Sequence, residues 1–228
     1  MREPFGVIYE DNHLLIVNKA SGILVQGDIT GDIPLVELCK EYIGKKYRKP
    51  GAVFLGVVHR IDRPVSGIVV LARTSKALER MNELFRENRT KKTYWAITDK
   101  KPPLETGKLI HWLTKDEKKN KVTAYPRETV GALKSELSYK ILAMAERQCL
   151  LEVQPVTGRP HQIRVQLASM GCVIKGDLKY GAPQALEDGS IALHARKLEF
   201  THPVRKEPMV LEAHLPDTRV WQAFENIT

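Results

Sequence analysis

The chain has 228 residues, 43% of them hydrophobic, and carries 36 Lys and Arg against 27 Asp and Glu, a formal net charge of +9. This composition excludes a disordered or fibrous chain and predicts a folded globular protein. The positive charge favours a polyanionic partner, with nucleic acid ahead of a membrane surface. No apolar run approaches the roughly 20 residues that cross a bilayer, and the start lacks the features of a signal peptide. We therefore expect a cytoplasmic protein with no membrane contact.

The predicted elements begin with two short strands within 5–22, joined by a turn at Asp11 and Asn12. Apolar residues at helical spacing then predict a helix over 32–46, with Asp32 as its N-cap. Further along the chain, helical and strand patterns alternate without a repeat or a linker. The remaining elements are a strand at 67–72, a helix at 74–89, a strand at 91–99, loops or an exposed hairpin from 100 to 125, two antiparallel strands within 133–158 that turn near Glu146 and Arg147, a helix within 159–171 that ends at Gly171, and a strand at 209–215. This pattern predicts one α+β domain, residues 1–228, with a largely antiparallel sheet.

Three cysteines, Cys39, Cys149 and Cys172, lie far apart in the sequence. Their odd number and spacing argue against a disulfide framework and against a CxxC metal site, so we expect buried thiols. The sequence also lacks HExxH, GxxxxGK[ST], a strand-anchored GxGxxG and GxSxG. A metal site, a nucleotide cofactor and serine hydrolysis are therefore not indicated.

The segment VVHRIDRPVSGIVV, residues 57–70, places one carboxylate, Asp62, between Arg60 and Arg63. Pro64 favours extended geometry at the residue before it and so predicts a loop that leads into the following strand. Asp62 is either a reactive carboxylate on this loop or a structural residue that caps a turn or pairs with Arg60. The local sequence favours the structural interpretation, because most charged side chains are solvated or simply paired.

A second candidate is GRPHQIRVQL, residues 158–167. In a helix, His161 and Arg164 are three residues apart and lie on one face, which leaves another face for the core. This basic face is either merely solvated or part of a site in which the planar fork of Arg164 binds a carboxylate or a phosphate.

A third candidate is KKTYWAI, residues 91–97. In a strand, Tyr94 and Trp95 point to opposite faces, so we expect one ring in the core and the other accessible. We assign Trp95 to packing. Tyr94 is either a second packing residue or a ring on which a base stacks.

Six segments carry the strongest pattern when they are taken together and in order. They are VNKASG (17–22), HRIDRPVSG (59–67), KTYWAI (92–97), GRPHQIRVQL (158–167), GDLKYG (176–181) and LHARKLEFTHP (193–203). The set resembles the RluA family of pseudouridine synthases, whose signatures include HRLDxxTSG and GRxHQIRxHL. The sequence departs from the family pattern at Ile61, Val65 and Gln166, which are conservative or peripheral changes, and at Ala20 and Gln26 near the start.

The resemblance implies the pseudouridine synthase fold, a mixed and mostly antiparallel sheet with flanking helices and a central catalytic cleft. It implies no metal and no cofactor. Because the catalytic-domain motif begins at Val17, we expect no N-terminal S4 domain. The implied partner is transfer RNA or ribosomal RNA, bound by a monomer with no obligatory protein partner.

The resemblance also implies that a uridine within RNA is isomerised to pseudouridine. Asp62 would be the nucleophile, and Arg164 its ion-pair partner. Tyr94 would stack on the target base and assist removal of the C5 proton. Residue identities leave attack at C1′ and attack at C6 equally open.

The target uridine must be flipped out of its stack, and the resemblance makes Arg60 the residue that fills the vacated space. His59, Arg159 and His161 are the other predicted RNA-binding residues, whereas Arg63 has no assigned role. Two alternatives to a pseudouridine synthase remain open. One is a catalytically inactive RNA-binding or ribosome-assembly protein on the same fold, and the other is a metal-free hydrolase that uses Asp62 with a second carboxylate, Glu152 or Asp177.

Overall fold

The computed structural model describes residues 3–48, 50–145, 148–224 and 227. The chain forms two compact units: unit 1 comprises residues 1–91 and 195–216, and unit 2 comprises residues 92–194 and 217–228. Within the described ranges, no helix has the length and apolar character needed to cross a membrane. The assignment of residues 1–228 to a single domain stays a prediction.

The secondary structure is mostly strand. The strands are β1 (Phe5–Glu10), β2 (Leu14–Lys19), β3 (Gly56–Val57), β4 (Ser66–Ala72), β5 (Lys91–Thr98), β6 (Thr106–Asp116), β7 (Lys121–Tyr125), β8 (Leu133–Ala145), β9 (Gln148–Pro155), β10 (Leu193–Thr201) and β11 (Pro208–Glu212). The helices are α1 (Leu35–Tyr47), α2 (Ser75–Arg86), α3 (Gln162–Ser169) and α4 (Arg219–Gln222). The predicted α+β class is confirmed.

Unit 1 is built on neighbouring strands in the order β1-β2-β4-β10, with β11 beside β10 and β3 beside β4. The pairs β1–β2, β2–β4 and β10–β11 are antiparallel. Every residue of β4 is buried, which explains why its sequence is a continuous apolar run rather than an alternating one. One face of this sheet packs against α2, where Ile16, Val70 and Met81 belong to a single buried cluster.

The sequence predicted the first turn of unit 1 correctly but not the cap of its first helix. Asp11 forms the predicted turn, and its Oδ1 accepts hydrogen bonds from the backbone N–H groups of His13 and Leu14. Helix α1 has no side-chain cap at its N-terminus, where Pro34 is the N-cap residue. The prediction that Asp32 caps this helix is therefore wrong.

Unit 2 contains antiparallel strands in the order β5-β9-β8-β6-β7. The polar segment predicted as loops or a hairpin is the hairpin β6–β7. The two strands predicted within 133–158 are β8 and β9, while their predicted turn at Glu146 and Arg147 lies outside the described residues.

Helix α3 corrects the sequence-based view of the GRPHQIR segment. His161 has a left-handed backbone with φ of 50° and precedes the helix, so it does not share a helical face with Arg164. Residues 162–167 are all buried, so the alternative of a merely solvated face is wrong, whereas the alternative in which the fork of Arg164 binds a carboxylate is confirmed by its pair with Asp177. Gly171, with φ of +80°, follows the helix, as its predicted stop requires.

The three cysteines are free and buried, as predicted. Burial raises the pKa of the Cys39 thiol to about 12 and that of Cys149 to about 11. Thiols with such pKa values stay protonated near neutral pH, which makes them unreactive core residues.

Candidate active-site residues

Asp62 lies in unit 1 on the turn that leads into β4. The backbone N–H of Val65 donates to the Asp62 carbonyl at 3.0 Å, and the Asp62 side chain is half-buried. Just beyond the turn, Gly67 has φ of +114°, and a Cβ there would lie 2.4 Å from the carbonyl oxygen of Ala195. A glycine is therefore required where β4 approaches β10, and this close approach fixes the end of the Asp62 turn.

The two arginines beside Asp62 have different surroundings. Arg60 is exposed, and its side chain has no hydrogen bond or ion pair with any residue in the described part of the chain. Of the two structural alternatives for Asp62, the ion pair with Arg60 is therefore wrong for the described residues. Arg63 donates from Nε to the carbonyl of Gly22 at 2.9 Å and pairs through Nη1 with Asp32 at 2.8 Å. Arg63 therefore ties the Asp62 turn to the loop between β2 and α1.

Lys19, the last residue of β2, is a functional candidate that the sequence analysis missed. Its side chain is 0% exposed, and Nζ donates to the carbonyls of Ala20 (2.9 Å), Ile23 (2.8 Å) and Arg63 (3.3 Å). An ammonium has three N–H donors, and all three are satisfied here. Lys19 therefore joins the loop after β2 to the backbone beside Asp62.

The charge of Lys19 is sensitive to this environment. Burial lowers the pKa of Lys19 to about 7, while the negative charge of Asp62 acts in the opposite direction. The unfolded chain retains the ordinary lysine pKa near 10.5. Between pH 7 and 10.5 the unfolded chain therefore binds a proton that the native chain has released, and stability rises with pH by up to about 1.4 kcal/mol per pH unit.

Replacing Lys19 by Met should lower the free energy of unfolding by about 1–3 kcal/mol at pH 6, because three carbonyl acceptors lose their donor. The loss should be larger at pH 9, since only the unsubstituted chain gains stability as Lys19 is neutralised. Urea unfolding at both pH values measures this difference. Lys45→Met, at an exposed lysine, serves as the control, and an equal effect of Lys19→Met at both pH values would contradict the lowered pKa.

His59 is held within unit 1. Its ring stacks on Phe85 with 4.7 Å between centroids and an interplanar angle of 17°. Its Nε2 accepts the backbone N–H of Val70 at 3.2 Å, so a neutral ring carries its proton on Nδ1. His59 therefore fixes the start of the HRID segment against α2 and β4, and its RNA-binding role stays a prediction.

Tyr94 lies in unit 2 on β5, opposite Val153 of β9. Trp95 is only 7% exposed, whereas Tyr94 is half-buried. The prediction that the two rings point to opposite faces, with Trp95 in the core, is confirmed. The role of Tyr94 at the target base stays a prediction.

Arg164 forms a buried, bidentate ion pair with Asp177. Its Nε donates to Oδ2 of Asp177 at 2.7 Å, and its Nη2 donates to Oδ1 at 2.8 Å. The side chains are 5% and 1% exposed. Two parallel charge-assisted hydrogen bonds fix the plane and direction of the guanidinium. The predicted pairing of Arg164 with Asp62 stays a prediction.

Asp177 itself is positioned by the GDLKYG segment. Gly176 has φ of +85°, and a Cβ there would lie 2.7 Å from the carbonyl of Ser190, so the turn before Asp177 needs a glycine. The sequence analysis named Asp177 only as a possible second carboxylate of a hydrolase and did not predict its pairing with Arg164. A carboxylate directly after a tight turn cannot be matched to its arginine without the fold.

Tyr180, from the same segment, supports both Arg164 and His161. Its ring centroid lies 5.1 Å from Cζ of Arg164. Its hydroxyl accepts the backbone N–H of Val122 at 2.9 Å and lies 2.8 Å from Nδ1 of His161. The hydroxyl either donates to Nδ1 of His161 or accepts from it, according to the tautomer of the ring. Tyr180 thus holds the predicted RNA-binding His161 beside the catalytic candidate Arg164.

The backbone of Arg159 is held by a hydrogen bond to the side chain of Gln162. The side-chain amide of Gln162 accepts from the Arg159 backbone N–H at 3.0 Å and from the Thr157 hydroxyl at 2.8 Å, and it donates to the Glu136 carbonyl at 3.0 Å. The Arg159 side chain is exposed and makes no hydrogen bond or ion pair with the residues that the structure describes. Its charge is therefore directed to solvent from a fixed backbone.

The hydrolase alternative required a second free carboxylate. Both oxygens of Asp177 are bound to Arg164, and Glu152 pairs with Lys140 at 3.3 Å. The Asp177 carboxylate is therefore occupied by Arg164, whereas Glu152 as the second carboxylate of a hydrolase stays a prediction. Among the described residues, no three or more His, Cys, Asp or Glu side chains are grouped so that they could hold a metal ion.

Comparisons with known proteins show which family the chain belongs to. Residues 13–169 match the family described as RNA pseudouridylate synthase. A ribosomal large subunit pseudouridine synthase C of Vibrio cholerae is 34% identical over 92% of this chain and 66% of its own length, so the chain spans slightly less than two thirds of that relative. A tRNA pseudouridine synthase C of the same species is 29% identical over 96% of this chain and 93% of its own length.

Comparison with solved structures indicates the same family. The solved structure of Human RNA Pseudouridylate Synthase Domain Containing 4 has a TM-score of 0.78 and 26% identity, and the match covers 97% of this chain and 92% of that chain. The α+β fold with its largely antiparallel sheet is thus a pseudouridine synthase fold. The chain belongs to the RNA pseudouridylate synthase family, which confirms the resemblance found in its sequence.

Proposed function

We propose that this chain is an RNA pseudouridine synthase that isomerises a uridine in transfer RNA or ribosomal RNA. The observation that supports the proposal is that Asp62, Tyr94 and Arg164 all stand at the family's signature positions in the sequence. Lys19 and Arg63 tie down the Asp62 turn within unit 1. A relative named for ribosomal RNA and another named for transfer RNA support both substrate classes.

The proposed reaction rearranges one glycosidic bond without a change in oxidation state. The bond from N1 to C1′ breaks, the uracil turns, C5 bonds to C1′, and the C5 proton leaves while N1 gains one. Asp62 is the proposed nucleophile, at C1′ or at C6. Tyr94 stacks on the uracil and assists removal of the C5 proton, and Arg164 supplies positive charge in a fixed orientation.

Arg60 is the proposed wedge in base flipping, which costs a few kcal/mol. Its exposure and its lack of a partner among the described residues leave it available to RNA. Arg60→Ala should slow single-turnover conversion about tenfold and weaken RNA binding by much less. Rapid-quench kinetics at saturating protein measures the rate, with Arg86→Ala, at another exposed arginine, as the matched control. An unaltered single-turnover rate would count against the wedge.

The alternative of an inactive RNA-binding or ribosome-assembly protein would be expected to lose Asp62, Tyr94 or Arg164 first. All three are present.

The proposal extends to a monomer that acts in the cytoplasm without an obligatory protein partner. Net charge supports RNA as the partner, because phosphate neutralisation by Lys and Arg drives such binding.

The test of the function uses the purified chain with unmodified transfer RNA and large-subunit ribosomal RNA, both transcribed with uridine tritiated at C5. Isomerisation exchanges the C5 hydrogen with solvent, so tritium release should rise with time above a protein-free control. Mapping of pseudouridine in the product then gives the position. Absence of release from both RNA classes would refute the proposal.

A further inference from the structure

Lys92, the second residue of β5, is a cation for which the described residues provide no counter-ion. It is half-buried, yet it makes no hydrogen bond and no ion pair with any of them. Burial lowers its pKa, and no neighbouring charge contributes to the shift. Placing an ammonium in such surroundings without an anion costs free energy, so a bound anion would offset that cost.

The position of Lys92 relates it to the proposed target base. Lys92 and Tyr94 are two residues apart on one strand, so both side chains point to the same face of β5. Lys91, in contrast, points to the opposite face, is exposed, and pairs with Glu199 at 3.3 Å. Of the two adjacent lysines, only Lys92 therefore shares the Tyr94 face.

The Lys92 ammonium lies close to the backbone of Gly158. A Cβ placed on Gly158 would lie 4.0 Å from Nζ of Lys92, so the ammonium borders the loop that begins the GRPHQIR segment. Arg159 follows directly, with an exposed side chain that has no partner among the described residues. The Lys92 ammonium thus borders the backbone directly before Arg159, and neither cation has a partner among the described residues.

We propose that Lys92 and Arg159 form a phosphate-binding site for the target nucleotide. The inference rests on the proposed function, because it assigns the phosphate to the uridine whose base stacks on Tyr94. An ammonium supplies a compact point charge and a guanidinium supplies a bidentate fork, and both are ordinary phosphate ligands. The resemblance to relatives had assigned no role to Lys92.

The test uses uridine 5′-monophosphate, uridine 3′-monophosphate and uridine as probes of the full chain. Lysines are labelled by reductive ¹³C-dimethylation, which retains their charge, and the Lys92 signal is assigned by its loss in Lys92→Arg. One of the monophosphates should shift this signal, and uridine at equal concentration should not. A shift equal to that with uridine, or no shift with either monophosphate, would overturn the proposal.

Variants then separate phosphate binding from a structural role. Lys92→Gln should bind the responding monophosphate about tenfold more weakly and uridine as well as the unsubstituted chain does. Lys92→Arg should retain the phosphate preference, because it keeps the charge, and Lys91→Gln should behave as the unsubstituted chain. Loss of uridine binding together with monophosphate binding in Lys92→Gln would overturn the proposal.

These measurements do not depend on turnover. A chain that binds a monophosphate through Lys92 but releases no tritium from RNA would retain the phosphate site and refute the synthase activity. A chain that releases tritium, while its Lys92→Gln variant binds both monophosphates normally, would support the synthase activity and refute the phosphate site. The two proposals therefore fail by different results.

Discussion

Asp62→Asn is expected to reduce tritium release from C5-labelled RNA by a factor of about a thousand or more, since removal of a nucleophile has effects of this size. The amide has nearly the shape of the carboxylate but neither its charge nor its nucleophilicity. RNA affinity should stay near that of the unsubstituted chain, because phosphate contacts by Lys and Arg dominate it. Tritium release and filter binding with one RNA preparation measure both quantities.

The matched control for this substitution is Asp28→Asn. Asp28 is also in unit 1 but is exposed, and it hydrogen-bonds with Thr30. We expect this variant to release tritium at the unsubstituted rate. Tritium release by Asp62→Asn at the rate of the unsubstituted chain would refute the role of Asp62 as nucleophile. A circular dichroism spectrum that matches the unsubstituted chain would show that any loss of activity is not due to unfolding.

Asp177→Asn is expected to have the largest effect on stability. It removes the charge of one partner from a buried bidentate pair, and breaking such a pair by changing one member costs about 3–5 kcal/mol. It should also lower the rate of isomerisation, because Arg164 loses the carboxylate that orients its guanidinium. Urea unfolding and tritium release measure the two effects.

A double variant distinguishes positioning from stability alone. Arg164→Met combined with Asp177→Leu replaces the buried pair by apolar side chains and should be more stable than either single variant. It should nevertheless stay inactive, because Arg164 is gone. Recovery of activity together with stability would contradict a catalytic role for Arg164. Asp99→Asn, which breaks a partly exposed pair with Lys175, should change stability by less than about 1 kcal/mol.

Local features of the sequence predicted much of the fold. The turn at Asp11 needs only a side chain that reaches the backbone two and three residues ahead. The apolar run of β4 and the alternation of Tyr94 and Trp95 likewise depend on strand geometry alone. The family resemblance then supplied Asp62 and Arg164 as candidates, which residue patterns alone left undecided.

Features that depend on tertiary pairing were not predictable. Asp32 has the right spacing for an N-cap, but its carboxylate pairs with Arg63, 31 positions away in the sequence. From the sequence, the polar residues of helix α3 suggested an amphipathic helix with one solvated face. Instead, Gln162 is buried and donates to the Glu136 carbonyl, and Arg164 is buried and donates to the Asp177 carboxylate. The burial of Lys19 follows from three carbonyls that only the folded loops bring together.

The most direct test of the central claim is a transcriptome-wide pseudouridine map of cells that lack this chain and are complemented with the unsubstituted chain or with Asp62→Asn. At least one position in transfer or ribosomal RNA should be pseudouridine with the unsubstituted chain and uridine with Asp62→Asn. Identical maps from the two complemented strains would contradict it.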